Sequence, residues 1–168
     1  MVSLSDRDRT LAAARAACAR VVDPEIPTLS IADLGVLRDV RLGADGVIEV
    51  DITPTYSGCP AMRAIALDIE AAIEAAGLGR PRVSLVLTPA WTTDWITPAG
   101  REALRRAGIA PPTPGAGRRA LFGADELVPC PRCGATDTEK LSEFGSTACK
   151  ALWRCRACRE PFDYFKCH

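Results

Sequence analysis

Leu11, Ala14, Cys18 and Val21 recur at helical spacing near the start of the chain, which predicts a helix over about 6–22. Ser5 followed by Asp8 resembles a capping box at its start. Asp23-Pro24-Glu25 closes it, because the residue before a proline avoids the helical region. A strand over about 36–42, the turn Gly43-Ala44-Asp45-Gly46 and a second strand then read as a hairpin. In that second strand Ile48, Val50 and Ile52 alternate with Glu49 and Asp51, so one face is buried and the other wet. Met62, Ile65, Ala66, Ile69 and Ile73 form the stripe of another helix, which Gly77 stops. Val83, Leu85 and Leu87 mark a strand over about 82–88, and Thr97-Pro98 opens a short helix to about 106. The order predicts an α+β fold: a small sheet with helices packed on one face.

The pattern changes after that. Ala110–Gly117 holds three prolines and two glycines in eight residues, a composition that predicts a linker over 110–125 and neither helix nor strand. The expected organisation is a domain over 1–109, this linker, and a module over 126–168. Six of the nine aromatic residues and six of the eight cysteines lie beyond residue 117. Over the chain, 21 basic residues balance 21 acidic ones. Up to Ile109 there are 12 basic and 14 acidic residues, or −2, and from Ala110 there are 9 and 7, or +2. Charge this even argues against nucleic acid or an anionic membrane as a partner. No apolar run approaches the roughly 20 residues that cross a bilayer. Met1–Arg20, rich in Asp and Arg, does not read as a secretory signal, so a cytoplasmic location is expected.

Two CxxC turns, Cys130-Pro-Arg-Cys133 and Cys155-Arg-Ala-Cys158, lie 21 residues apart. This spacing is that of structural zinc sites, in which each turn aims two thiolates at one ion. About 50 residues bury little core, and a closed four-cysteine site supplies the missing stability. Zinc is the expected structural metal, although four soft thiolates also accept iron or an iron–sulfur cluster. Cys149, Cys167 and His168 are either packed spares or additional ligands. Four thiolates and one divalent ion bring the module near neutrality, which again disfavours a phosphate footprint.

In the first part, Cys18 falls on an apolar helix face and reads as a small packed hydrophobe. Cys59 differs: it precedes Pro60 at the start of a helix, where free N–H groups and the dipole favour a thiolate. Thr53–Gly58 supplies hydroxyls and a glycine beside it. Cys59 is therefore either a reactive thiol or transient metal ligand, or a half-buried residue at a helix end. Asp23, Glu25 and Asp33 either cap turns or face Cys59. The sole histidine is His168, which excludes a Cys-His pair or triad in the first part, and no phosphate-binding glycine loop is present. Trp91 and Trp95, separated by polar residues, are either core or a partner-docking patch.

Asp23–Pro27, Ser30–Gly35 and Thr53–Pro60 resemble the small domain of SufT-type iron–sulfur assembly factors. Over nearly its whole length the chain resembles the D-type (or J-type) accessory family of the phenylacetyl-CoA epoxidase system. Pro89–Thr97, Gly108–Pro112, Phe144–Lys150 and Glu160–Phe162 carry that likeness. The resemblance implies a non-catalytic accessory or maturation factor. Its partners would be the epoxidase oxygenase and reductase subunits and the iron–sulfur assembly machinery. It also implies that Cys59 holds iron or a cluster transiently, with Asp33 and Thr53 nearby. A structural bridging component of the oxygenase complex is the alternative.

Overall fold

The structure is a computed structural model and describes residues 4–113, 115 and 127–166. It divides into two compact units, Met1–Trp91 and Thr92–His168. Among the described residues no helix is long and apolar enough to cross a membrane.

The first unit begins with α1 (Leu4–Cys18), followed by a two-stranded antiparallel sheet of β1 (Val22–Asp23) and β2 (Ile26–Ser30). A three-stranded sheet holds β3 (Leu37–Leu42), β4 (Ile48–Ile52) and β5 (Arg82–Leu85) in that order. β3 and β4 are antiparallel, and β4 and β5 run parallel with α2 (Ala61–Ala75) as the crossover. The alternation in β4 is realised: Ile48, Val50 and Ile52 are buried. On the wet face Arg41 bonds Glu49 at 2.9 Å and also pairs with Asp51, and Arg82 reaches Glu49 at 2.8 Å. Arg41 therefore bridges carboxylates on a face where Asp39 and Asp51 stand opposite each other. The buried stripe of α2 is Ile65, Ile69 and Ile73. From α1, Ala14, Ala17 and Cys18 join the core, and burial pushes the Cys18 thiol up to about 11. α1 ends earlier than its periodicity predicts because Val22 and Asp23 pair with β2 instead.

The second unit opens with a 3₁₀ turn (Thr93–Trp95) and α3 (Pro98–Arg106), whose N-cap Thr97 accepts the Gly100 N–H at 3.0 Å. Its sheet has the order β6-β9-β8-β7, made of β6 (Ile109–Ala110), β9 (Pro161–Phe165), β8 (Lys150–Cys155) and β7 (Thr138–Ser142). β6 is parallel to β9, and the other neighbours are antiparallel. Val128, Ala151, Trp153, Phe162 and Tyr164 form its core together with Ala110, and the Trp153 and Tyr164 rings meet edge-on at 5.9 Å.

This arrangement corrects the expected limits. Ala110 is a strand residue rather than the start of a linker, since it is fully buried and pairs with Tyr164. The prolines begin only at Pro111, where the missing N–H ends the pairing. α3 and β6 thus belong with the cysteine-rich unit, and the break falls between Trp91 and Thr92. Residues 114 and 116–126, most of the expected linker, lie outside the described residues.

Candidate metal and thiol sites

The second CxxC turn sits at the hairpin between β8 and β9, where Cys155 N–H donates to Glu160 O at 3.0 Å. The first is closed by Cys130 N–H to Ala135 O and Gly134 N–H to Cys130 O, both 2.9 Å. Gly134 takes the left-handed conformation after the first turn (φ 75°), and Arg159 takes it after the second (φ 64°). The two hairpin-like turns bring the Cys130, Cys133, Cys155 and Cys158 sulfurs within 4.8 Å of one another. Cys130 Sγ lies 3.8 Å from Cys158 Sγ, and Cys133 Sγ lies 3.6 Å from Cys155 Sγ. A tetrahedron with zinc–sulfur bonds of about 2.3 Å has edges of about 3.8 Å, so the four sulfurs fit one such ion. Cys130 and Cys155 are buried, and Cys133 and Cys158 are exposed.

The Cys158 N–H donates to Cys155 Sγ at 3.4 Å and is the chief reason that this thiol is held down to about 7. Cys158 is pushed up to about 12: the Glu160 N–H favours its thiolate, but lost hydration and the thiols of Cys155, Cys133 and Cys130 outweigh it. Four sulfurs this close ionise together only around a cation, which is what makes the cluster a metal-binding centre. Cys149 is buried 3.1 Å from the Thr147 hydroxyl and is not part of the cluster. Cys167 and His168 lie outside the described residues.

The thiol of the first unit lies where a loop meets α2. Pro60 is the N-cap and Cys59 precedes it, with Cys59 N–H donating to Tyr56 O at 3.3 Å. Gly58 takes φ 84° to make that turn, a conformation that glycine adopts without strain. Cys59 is half-buried. Its thiol is raised, not lowered as the helix-end argument predicts. Burial is the largest cause, and the charges of Glu25 and Asp23 add to it. The Ala61 N–H and the Tyr56 hydroxyl, which favour the thiolate, are outweighed.

Asp23 and Asp33 both cap turns, and of the three carboxylates Glu25 and Asp23 add charge at Cys59. Asp23 is buried and caps a turn, accepting from the N–H groups of Glu25 (2.8 Å) and Ile26 (3.0 Å), yet its charge also reaches Cys59. Asp33 accepts the Ser30 hydroxyl at 2.8 Å in the turn between β2 and β3. Thr53 is buried directly after β4, its N–H bonded to Val36 O at 2.9 Å. Of the hydroxyls in the loop before Cys59, that of Tyr56 is the one that bonds the thiol.

A thiol raised by burial and by the charges of Glu25 and Asp23 is a poor nucleophile at neutral pH. Replacing Glu25 with Gln removes one negative charge and lowers the thiol pKa. Alkylation of Cys59 at pH 7.5 is expected to quicken about two- to fivefold, and Tyr56→Phe is expected to slow it. A Glu25→Gln rate equal to or below that of the parent would contradict this electrostatic account.

The two tryptophans separate. Trp91 is a core residue, 4% exposed, and its indole N–H donates to Leu34 O at 3.0 Å, so it cannot dock a partner. Trp95 is half-buried in the 3₁₀ turn.

Residues 114–166 match the family model of the PaaD zinc beta ribbon domain, and residues 11–88 match that of the iron-sulfur cluster assembly protein. A protein of Escherichia coli (strain K12), named as the D-type subunit of 1,2-phenylacetyl-CoA epoxidase, is 51% identical over 148 residues, covering 88% of this chain and 87% of that one. The chain belongs to the family of D-type phenylacetyl-CoA epoxidase subunits. Its first unit is also similar to the Fe-S protein maturation auxiliary factor SufT of Staphylococcus aureus (strain USA300), 32% identical over 85 residues, 50% of this chain and 96% of that one. The crystal structure of a domain of unknown function, DUF59, from Bacillus anthracis shares the fold. Its TM-score is 0.55 at 22% identity, over 61% of this chain and 97% of that one.

Proposed function

We propose that this member of the D-type family is a non-catalytic maturation factor serving a phenylacetyl-CoA epoxidase in the cytoplasm. It would receive iron or an iron–sulfur cluster as cargo at Cys59 and deliver it to the oxygenase or reductase component of that enzyme. The observation that carries this reading is the half-exposed Cys59 thiol, whose surrounding charge comes from Glu25 and Asp23, within the stretch that matches iron–sulfur assembly proteins. One thiol with carboxylate neighbours grips a cation loosely enough to release it. Asp33 and Thr53 complete the proposed setting. Four thiolates at Cys130, Cys133, Cys155 and Cys158 hold structural zinc and do not exchange it on the same timescale. Trp95 and the ribbon face the client.

Cys59→Ser is expected to leave folding and ribbon metal content unchanged while lowering iron per client enzyme severalfold in cells expressing both. Unchanged client iron would overturn the delivery role. The designation of the E. coli relative as part of the epoxidase favours a second reading, a resident bridging component. Stable one-to-one co-purification with the oxygenase core, unaffected by Cys59→Ser, would select it.

A further inference from the structure

Beside the first cysteine turn, the second unit contains a cleft of about 350 Å³ that the maturation reading does not use. Pro111, Pro112, Pro129 and Pro131 line it together with Arg101 and Arg105 of α3. Four pyrrolidine rings make a stiff apolar surface whose φ angles are set in advance. Arg101 ties the helix to that surface by donating to Pro112 O, and at 2.7 Å to Thr93 O. Arg105, one helical turn on, projects from the same face. It pairs with Glu102 at 3.5 Å, with both side chains more than half exposed, a contact weak enough to exchange. No carboxylate is found among the described residues that line this cleft. The neighbouring cleft, which shares Arg101 and Arg105, does include a carboxylate, that of Asp94, which accepts the Gly115 N–H.

A preformed apolar pocket with a few convergent polar groups is the usual form of a small-molecule site, and the volume is within the range of such sites. Guanidinium groups select a planar anion. We propose that this cleft binds a small organic carboxylate carried on a flat apolar body, the carboxylate against Arg105 and the body against the proline rings. The alternative use of the arginines is to neutralise the thiolates next to them, since Cys130 lies in the cleft wall.

The test uses the full-length, zinc-loaded protein with phenylacetate as probe, because it combines the two required parts, and phenylacetamide as its neutral isostere. Calorimetry and the amide chemical shifts of Thr113, Cys130, Arg132, Cys133 and Gly134 report binding. Phenylacetate is expected to saturate at one per chain, and phenylacetamide to bind about tenfold or more weakly. Arg105→Gln is expected to weaken phenylacetate about tenfold, while Arg106→Gln, which removes the same charge from an exposed neighbour, leaves it within about threefold. Equal binding of the amide, equal losses in the two variants, or no saturation at 10 mM phenylacetate (a probe concentration of about this order being ample for a real site) would overturn the proposal. So would an Arg105→Gln protein that binds phenylacetate normally but shows a changed cobalt-substituted spectrum, which would assign the arginine to the thiolates. A hexaglutamate peptide that binds where phenylacetate does not would point to an acidic protein segment and also overturn the small-molecule assignment.

Discussion

Cys155→Ser is expected to empty the metal centre and unfold the second unit. Cys155 is fully buried at the end of β8, and its N–H and sulfur both hold the turn together. Hydroxyl is a poor substitute for thiolate toward a soft borderline ion, so the substitution forfeits most of the roughly 10–16 kcal/mol of apparent binding energy that such sites supply. The cluster around the turns is small, Val128, Trp153, Phe162 and Tyr164 with a few small residues, and Ile96, Leu104, Ile109 and Phe165 are the other large apolar side chains buried in the unit. A marginal fold of this size does not survive that loss. Metal content should fall from one per chain to near zero, and the amide signals of β7, β8 and β9 should collapse toward random-coil positions. The signals of α1, α2 and β3–β5 should persist, because that core contains none of the four cysteines. Lower pH should act in the same direction on the parent protein, since protons compete with the ion for the sulfurs. A Cys155→Ser chain that keeps its metal and its ribbon signals would show that the fold does not rest on the ion.

The second large effect is expected at Gly145. A Cβ there would lie 2.3 Å from Asp163 Oδ1 and 3.3 Å from the Ala151 carbonyl carbon. The carboxylate cannot simply turn aside. Asp163 accepts the Ser146 hydroxyl at 2.6 Å and the Ser146 N–H at 3.3 Å. Ser146 in turn accepts the Lys150 ammonium at 2.9 Å, and Lys150 is a buried charge, 4% exposed. Displacing Asp163 therefore loosens the acceptor of a buried cation, which is costly to leave unpaired. Gly145→Ala should destabilise the second unit by about 2–4 kcal/mol, read from denaturant unfolding of the zinc-loaded protein. Asp163→Gly removes the obstructing group and also costs stability. If the clash is the cause, the double variant loses clearly less than the two single losses combined. Simple additivity of the two would sink this explanation.

Much of the first unit was legible in the sequence because its elements are periodic. The alternation in β4 and the isoleucine stripe of α2 each point to one buried face, and the structure buries those faces. β1 and β2 were not legible. Val22–Asp23 is two residues long, and its pairing depends on the Asx turn at Asp23, which has no period to detect. The four-cysteine cluster was legible for a different reason: a CxxC turn is local, and two turns facing one ion need only a hairpin between them.

Sequence alone determined which sulfurs cluster and which faces of β4 and α2 turn inward. Tertiary structure alone decided three further matters. It assigned Ala110 to a sheet, because a partner strand, β9, lies more than fifty residues away in sequence. It decided between the two readings of Trp91 in favour of core, because its indole N–H finds an acceptor in the carbonyl of Leu34 on another segment. It reversed the pKa of Cys59, because the helix end acts locally, while burial and the charges of Glu25 and Asp23 come from chain folded back against it. Periodicity and short spacings record forces between near neighbours. Desolvation and long-range charge depend on what the rest of the chain brings to the same place.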